Sequence, residues 1–108
     1  MNKYLLVYSG GGMPETEEEQ AAVMADWMAW FGGLGEAVVD GGDPTMPMPK
    51  TVNPDGMVAD GAAGTMVSGY SVLQAASLDE AVEMAKGCPT LANDGKVTVY
   101  ELIDTSAM

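Results

Sequence analysis

Apolar positions along the chain predict four strands and two helices. Strand-forming residues dominate 3–9, 36–42, 66–75 and 96–103. In 16–34 and 77–86, apolar residues recur three and four positions apart, which indicates helices. A hairpin precedes the third strand. The order predicts an α+β fold, a ferredoxin-like βαββαβ sandwich in which both helices cover one face of a four-stranded sheet.

Both predicted helices begin with a capping box, formed by Thr16 with Glu19 and by Ser77 with Glu80. The periodicity gives each helix an inward apolar stripe. In the first helix the stripe contains Val23, Trp27, Trp30 or Phe31, and Leu34; in the second it contains Leu78, Ala81, Val82 and Ala85. Met24 and Met28, beside Trp27, are predicted to fill the core rather than to form a thioether metal site.

The long segment 43–64 breaks the periodic pattern with four prolines and several glycines. Within it, 50–52 and 57–58 have strand character, and Asn53-Pro54-Asp55-Gly56 between them is a turn sequence. The sequence therefore predicts a small hairpin insertion. Long loops in compact domains often have a functional role. We therefore expect this hairpin to lie over a cleft between itself, the first helix and the sheet.

The first and last strands carry apolar residues on both faces, although the two helices cover only one face of the sheet. The first strand, 3–9, is predicted to be central and covered on both sides. A second copy of the chain packing sheet against sheet would provide that cover, so a homodimer is expected.

Composition limits the kinds of partner that the chain is expected to bind. The 108 residues are expected to form a single domain, 1–108, with a formal charge of −12 and no histidine. Such a charge repels nucleic acid and anionic membranes, so neither is an expected partner. One cysteine, Cys88, cannot form an internal disulfide and is expected to pack in the core. Together with the lack of a long apolar run, this predicts a cytoplasmic protein.

Several residues are candidates for chemistry, each with a structural alternative. Trp27 and Trp30 are candidates for stacking on a ligand, or they pack in the core. Asp26 beside them is a candidate acid or base, or it is a solvated position. The segment Gly10–Pro14 lacks the lysine and spacing of a phosphate loop. No metal site and no cofactor are predicted, because the aspartates at 40, 43, 55 and 60 suit turns.

Six segments in order resemble the YCII-related family, including its DGPF-containing branch, over almost the full length. They are KYLLVY, WMAWFGGLGEAVVDGG, KTVNPDG, the pair Asp60-Gly61, SGYSVLQAASLDEAVEMAKGCP and KVTVYEL. The resemblance implies a ferredoxin-like fold that assembles as a dimeric α/β barrel.

The resemblance also implies where chemistry would lie. Some relatives carry a histidine in the first helix paired with a carboxylate, and one branch includes an enzyme that eliminates chloride. Here Met24 falls at the histidine position, and the DGPF signature has become Asp60-Gly61-Ala62-Ala63. Methionine cannot transfer protons, so the remaining catalytic candidates are Asp60, Asp26 and Tyr70. Candidate ligand-binding residues are Trp27, Trp30, Asp40 and Tyr100.

Three hypotheses follow. The leading one is a YCII-related homodimer that binds a small molecule in a cleft, with no assigned activity. The second is a lyase or isomerase with Asp60 or Asp26 as general base, which requires one of those carboxylates to be buried in a cleft. The third is a protein interaction module linked to transcriptional regulation, which requires an apolar patch left exposed after dimerisation.

Overall fold

A computed structural model describes residues 1–10 and 15–105. The strands are β1 (Asn2–Ser9), β2 (Val38–Asp40), β3 (Lys50–Val52), β4 (Val58–Asp60), β5 (Val67–Ala75) and β6 (Lys96–Glu101). The helices are α1 (Glu17–Leu34) and α2 (Leu78–Ala85), with short 3-10 turns at Gly35–Ala37 and Pro89–Asn93. The predicted loop at 10–14 lies mostly outside the described residues.

Four strands form an antiparallel sheet in the order β2-β5-β1-β6. β1 therefore lies between β5 and β6, as predicted for the first strand. The remaining two strands, β3 and β4, form a separate two-stranded sheet. This arrangement of one antiparallel sheet and two helices confirms the predicted α+β, ferredoxin-like fold.

The helix starts follow from the predicted caps. The Thr16 hydroxyl accepts a hydrogen bond from the Glu19 amide at 3.1 Å, and the Ser77 hydroxyl accepts one from the Glu80 amide at 3.2 Å. Each bond satisfies a backbone donor that the first helical turn leaves without a partner. Acidic residues in both first turns complement the positive end of the helix dipole.

The core lies between the helices and one face of the sheet. It contains fully buried side chains from β1 and β5 and small residues from α2: Tyr4, Leu6, Leu73, Ala75 and Ala81. α1 contributes a half-buried stripe of Val23, Trp27, Trp30, Phe31 and Leu34. Burying a large apolar side chain stabilises the fold by about 1.5–3 kcal/mol.

Two packing predictions are wrong. Met24 and Met28 are 62% and 70% exposed, because they lie one position off the α1 stripe that Trp27 and its neighbours fill. Leu78 and Val82 are 45% and 37% exposed, since the part of α2 that carries them lies beside β6, where the sheet ends. Only half of the predicted α2 stripe, Ala81 and Ala85, is buried.

Residues 46–66, called here the arm, leave the sheet edge and return to it. β3 and β4 lie within the arm, with Lys50 opposite Asp60 and Val52 opposite Val58, so the predicted hairpin is confirmed. Most of the arm's larger apolar side chains are exposed: Met46 82%, Met48 87%, Val52 69%, Met57 66% and Val58 58%. The radius of gyration, 15.4 Å, exceeds the roughly 13 Å typical of a compact chain of this length.

Candidate functional site

The sheet face opposite the helices is uncovered in the single chain. Side chains alternate along a strand, so those of β1 that do not join the core point to this side. We call it the open face, and it carries Leu5, Val7, Tyr70, Val72, Thr98 and Tyr100. Tyr70 is 36% exposed and Tyr100 is 54% exposed. The predicted cover on both sides of β1 is therefore present on one side only.

The strand register arranges the open face in two rows. Leu5 lies between Val72 and Tyr100, and Val7 lies between Tyr70 and Thr98. The first row thus combines two apolar side chains with the hydroxyl group of Tyr100, and the second combines Val7 with the hydroxyl groups of Tyr70 and Thr98. This pattern offers both apolar contact area and hydrogen-bonding groups to whatever covers the face.

Asp40 extends the first row at the edge of the sheet. It is the register partner of Val72 after an irregularity in β2, and its carboxylate accepts a hydrogen bond from the Gly42 amide at 2.8 Å. Three predicted site residues, Asp40, Tyr70 and Tyr100, therefore belong to neighbouring positions of one sheet. The sequence assigned them separately, and the register is what associates them.

Trp27 and Trp30 lie on the other side of the sheet, in an aromatic cluster. The Trp27 ring packs edge-on against Tyr8, with ring centroids 4.9 Å apart, and lies 5.7 Å from the Trp30 ring. The Trp30 indole nitrogen donates a hydrogen bond to the Met84 carbonyl oxygen at 3.1 Å. These contacts tie α1 to the sheet and to α2. Ligand stacking by either indole stays a prediction.

A buried hydrogen-bond chain lies under this cluster, and the sequence did not predict it. The Tyr8 hydroxyl donates to the Ser71 hydroxyl at 2.7 Å, and Ser71 donates to the Gly41 carbonyl oxygen at 2.6 Å. Burial raises the pKa of Tyr8, and its hydrogen bond to Ser71 opposes this only in part. A serine among the inward-facing positions of β5 is the sequence signal for such a chain, because a buried hydroxyl needs a partner.

The two carboxylates predicted as general bases are exposed in the single chain. Asp60 pairs with Lys50 at 2.8 Å, with the carboxylate side chain 89% exposed. Asp26 lies on the outer side of α1. The lyase hypothesis required one of them to be buried in a cleft, and neither is. Cys88 is buried as expected, and burial raises the pKa of its thiol.

Two cavities lie away from the aromatic cluster. One, of about 250 Å³, is at the base of the arm and is lined by Thr45, Met46, Pro49, Ala62, Ala63, Thr65, Met66 and Val67. The other, of about 260 Å³, is a groove between α2 and β6 lined by residues that include Leu78, Val82, Leu91, Val97 and Val99. The sequence indicated a functional role for the segment 43–64 but not this cavity.

A model of the YCII-related domain matches residues 4–106. The chain belongs to the YCII-related family. The resemblance inferred from the six sequence segments is therefore confirmed. Comparison with curated proteins finds no match.

Among solved structures, this YCII-related chain is similar to 5-chloro-2-hydroxyhydroquinone dehydrochlorinase from Burkholderia phenoliruptrix AC1100, in complex with 2,5-dihydroxybenzoquinone. The TM-score is 0.57 at 15% sequence identity, and the match covers 96% of this chain and 97% of the dehydrochlorinase. At this identity the similarity establishes a common fold.

The rest of the described chain adds two observations. No group of three histidine, cysteine or acidic side chains suited to a metal ion is found within residues 1–10 and 15–105. No helix in the same residues is long and apolar enough to cross a membrane. Met24, at the position where the family resemblance implies a histidine, is an exposed residue of α1.

Proposed function

We propose that this YCII-related protein is a homodimer that binds a small molecule between the open faces of its two copies. The main observation behind the proposal is the open face. It presents Leu5, Val7 and Val72 beside two tyrosines, and no other part of the described chain covers it. A sheet that has one face packed on helices and the other face rich in apolar side chains gains stability by burying the second face.

The tyrosines supply the chemistry of recognition. When a second copy covers Tyr70 and Tyr100, their hydroxyl groups leave water and need hydrogen-bond partners. A small molecule held between the faces provides such partners, and Asp40 at the end of the row adds an acceptor. The charge of −12 on each chain favours a neutral or cationic ligand over an anion. A protein of the same fold that holds a small quinone supports this proposal.

Native mass spectrometry of freshly purified protein tests both parts. A dimer with retained extra mass is the expected result for the wild type. Leu5→Asp introduces a charge at the centre of the proposed interface, so it should give monomers. Ala29→Asp makes the same charge change at an exposed position of α1, so it should leave the dimer intact. A wild-type monomer, or a Leu5→Asp dimer, would contradict the proposed assembly.

The ligand part is tested by the double variant Tyr70→Phe with Tyr100→Phe. Removing two hydroxyl groups while keeping both rings should preserve the dimer and reduce the retained mass. If the double variant retains as much ligand as the wild type, the molecule is bound elsewhere and the open-face site is wrong.

One alternative keeps an observation in its favour. The interaction-module hypothesis predicted apolar surface left over after dimerisation, and Met48 and Met57 on the arm are exposed, as is Leu91, outside the residues that form the open face. A dimer that retains no small molecule would favour this alternative. The lyase or isomerase hypothesis has no comparable support, since Asp26 and Asp60 are both exposed.

A further inference from the structure

We propose that the cavity at the base of the arm is a second binding site, for an uncharged molecule about the size of one substituted six-membered ring. This site is separate from the open face and does not depend on the proposed dimer. Three features carry the inference: one wall that is fixed to the sheet, a second wall made of very small side chains, and a lining without charge.

Hydrogen bonds to β5 fix the first wall. The Thr45 amide donates to the Ser68 carbonyl oxygen at 3.0 Å, and the Thr45 hydroxyl donates to the Val67 carbonyl oxygen at 2.7 Å. Pro44 forms an antiparallel bridge with Gly69 just beyond them. Thr45 and Val67, on one side of the cavity, are therefore held in place by the main sheet, so part of the site exists before a ligand arrives.

The second wall belongs to the arm. Its base is closed by a hydrogen bond from the Gly61 amide to the Pro49 carbonyl oxygen at 2.8 Å and by another from the Thr51 hydroxyl to the Gly61 carbonyl oxygen at 2.8 Å. The next two residues, Ala62 and Ala63, line the cavity with single methyl groups. Larger side chains at these two positions would occupy the space that the alanines leave open.

The side chains that line the cavity determine the charge and size of the ligand that it suits. None of the eight lining residues is charged, and six are apolar. Seven of the eight are exposed, so the site is an open depression in which a charged ligand finds no ionic partner and an uncharged ring gains apolar contact. The volume of about 250 Å³ exceeds the roughly 150 Å³ of an enclosed cavity that holds benzene, so one ring with a few substituents fits in this open depression. Met46 and Met66 offer thioether sulfurs, which make favourable contacts with ring edges.

The test uses protein labelled with ¹³C at the methionine methyl groups and two probes built on the same methyl-substituted ring, neutral p-cresol and anionic p-toluate. The Met46 and Met66 signals are assigned with Met46→Leu and Met66→Leu. We expect p-cresol to shift these two signals saturably, while Met24 and Met28 on α1 stay unchanged. The p-toluate anion should cause no saturable shift.

Two variants locate the binding. Ala63→Phe fills the cavity and should weaken p-cresol binding at least about tenfold. Ala59→Phe adds the same ring at an exposed position of β4 and should leave binding unchanged. An unchanged signal from Met84, which is half-buried and packs against the core, reports that each variant is folded.

Three results would overturn the proposal: no saturable shift in the wild type, equal binding by Ala63→Phe, or equal binding of p-toluate. Sedimentation of the same samples reports the dimer separately. A monomer whose Met46 and Met66 signals respond to p-cresol would contradict the proposed assembly and leave this second site standing.

Discussion

Tyr8 and Cys88 show how single residues make this fold sensitive to alkaline pH. Both are buried in the core, and burial raises the pKa of each in the folded protein. The ordinary values, 10.0 for the phenol and 9.0 for the thiol, apply to the unfolded chain. Above pH 9 the unfolded chain therefore binds fewer protons than the folded protein, which lowers the free energy of unfolding as pH rises.

We expect the free energy of unfolding to be independent of these two groups at pH 7 and to fall above pH 9. The slope is at most about 1.4 kcal/mol per pH unit for each group. Urea unfolding from pH 7 to 10.5 measures it. The double variant Tyr8→Phe with Cys88→Ala should be less stable at pH 7 and should lose stability less steeply above pH 9. An equally steep loss would show that other groups cause the alkaline sensitivity.

At the scale of elements, the helices and strands were predictable and their environments were not. The caps at Thr16 and Ser77 and the turn at 53–56 depend on residues close in sequence, so local patterns predicted them. Met24 is exposed because Trp27 and its neighbours form the stripe of α1 that packs against the sheet, and Met24 lies beside that stripe. Such contacts between distant segments leave no periodic signal in one sequence.

The grouping of the site residues also depended on contacts between distant segments, which one sequence does not show. Tyr70 and Tyr100 were named as candidates from their residue types, and the strand register then associated both with Leu5 and Val7. The chain from Tyr8 through Ser71 to Gly41 was missed, because it joins three segments separated by tens of residues. Asp60 was chosen for its family position, and its ion pair with Lys50 across the β3–β4 hairpin followed only from the register.

After β2 the chain turns at Gly42 and then lies beside β5 again. Gly42 has a φ of 70°. A Cβ atom at this position would overlap the Tyr70 carbonyl oxygen. We therefore expect Gly42→Ala to lower the free energy of unfolding by about 3 kcal/mol or more. Gly32 is helical, and a Cβ atom there meets nothing within 4 Å. Gly32→Ala should raise stability by about 0.5–1 kcal/mol. Urea unfolding compares the two, and equal effects would contradict the explanation.

At the scale of the whole molecule, shape and charge act in opposite directions on assembly. The described chain measures 45 × 44 × 18 Å, a flat body with apolar side chains on its open face. That shape favours burial against a second copy. The charge of −12 on each chain opposes it, because two copies repel each other at low ionic strength.

We accordingly expect the proposed dimer to tighten with salt. Raising NaCl from 20 to 500 mM shortens the screening length several-fold, so the dimer dissociation constant should fall at least about threefold. Sedimentation equilibrium at a series of protein concentrations measures it. A dissociation constant that rises with salt would show that ion pairs, rather than apolar contact, hold the copies together.

The two ends of the arm meet at the sheet edge, so removing the arm would leave its two neighbouring segments close enough to be joined directly. Pro44 bridges Gly69, and the Thr45 amide bonds to Ser68, so 43–45 and 68–70 already run side by side as the legs of a β-hairpin would. A two-residue turn such as Asn-Gly in place of 46–67 would join Thr45 to Ser68 with standard geometry. In topological terms the arm is a long insertion into a hairpin, which can change in length and sequence while the βαββαβ framework stays intact.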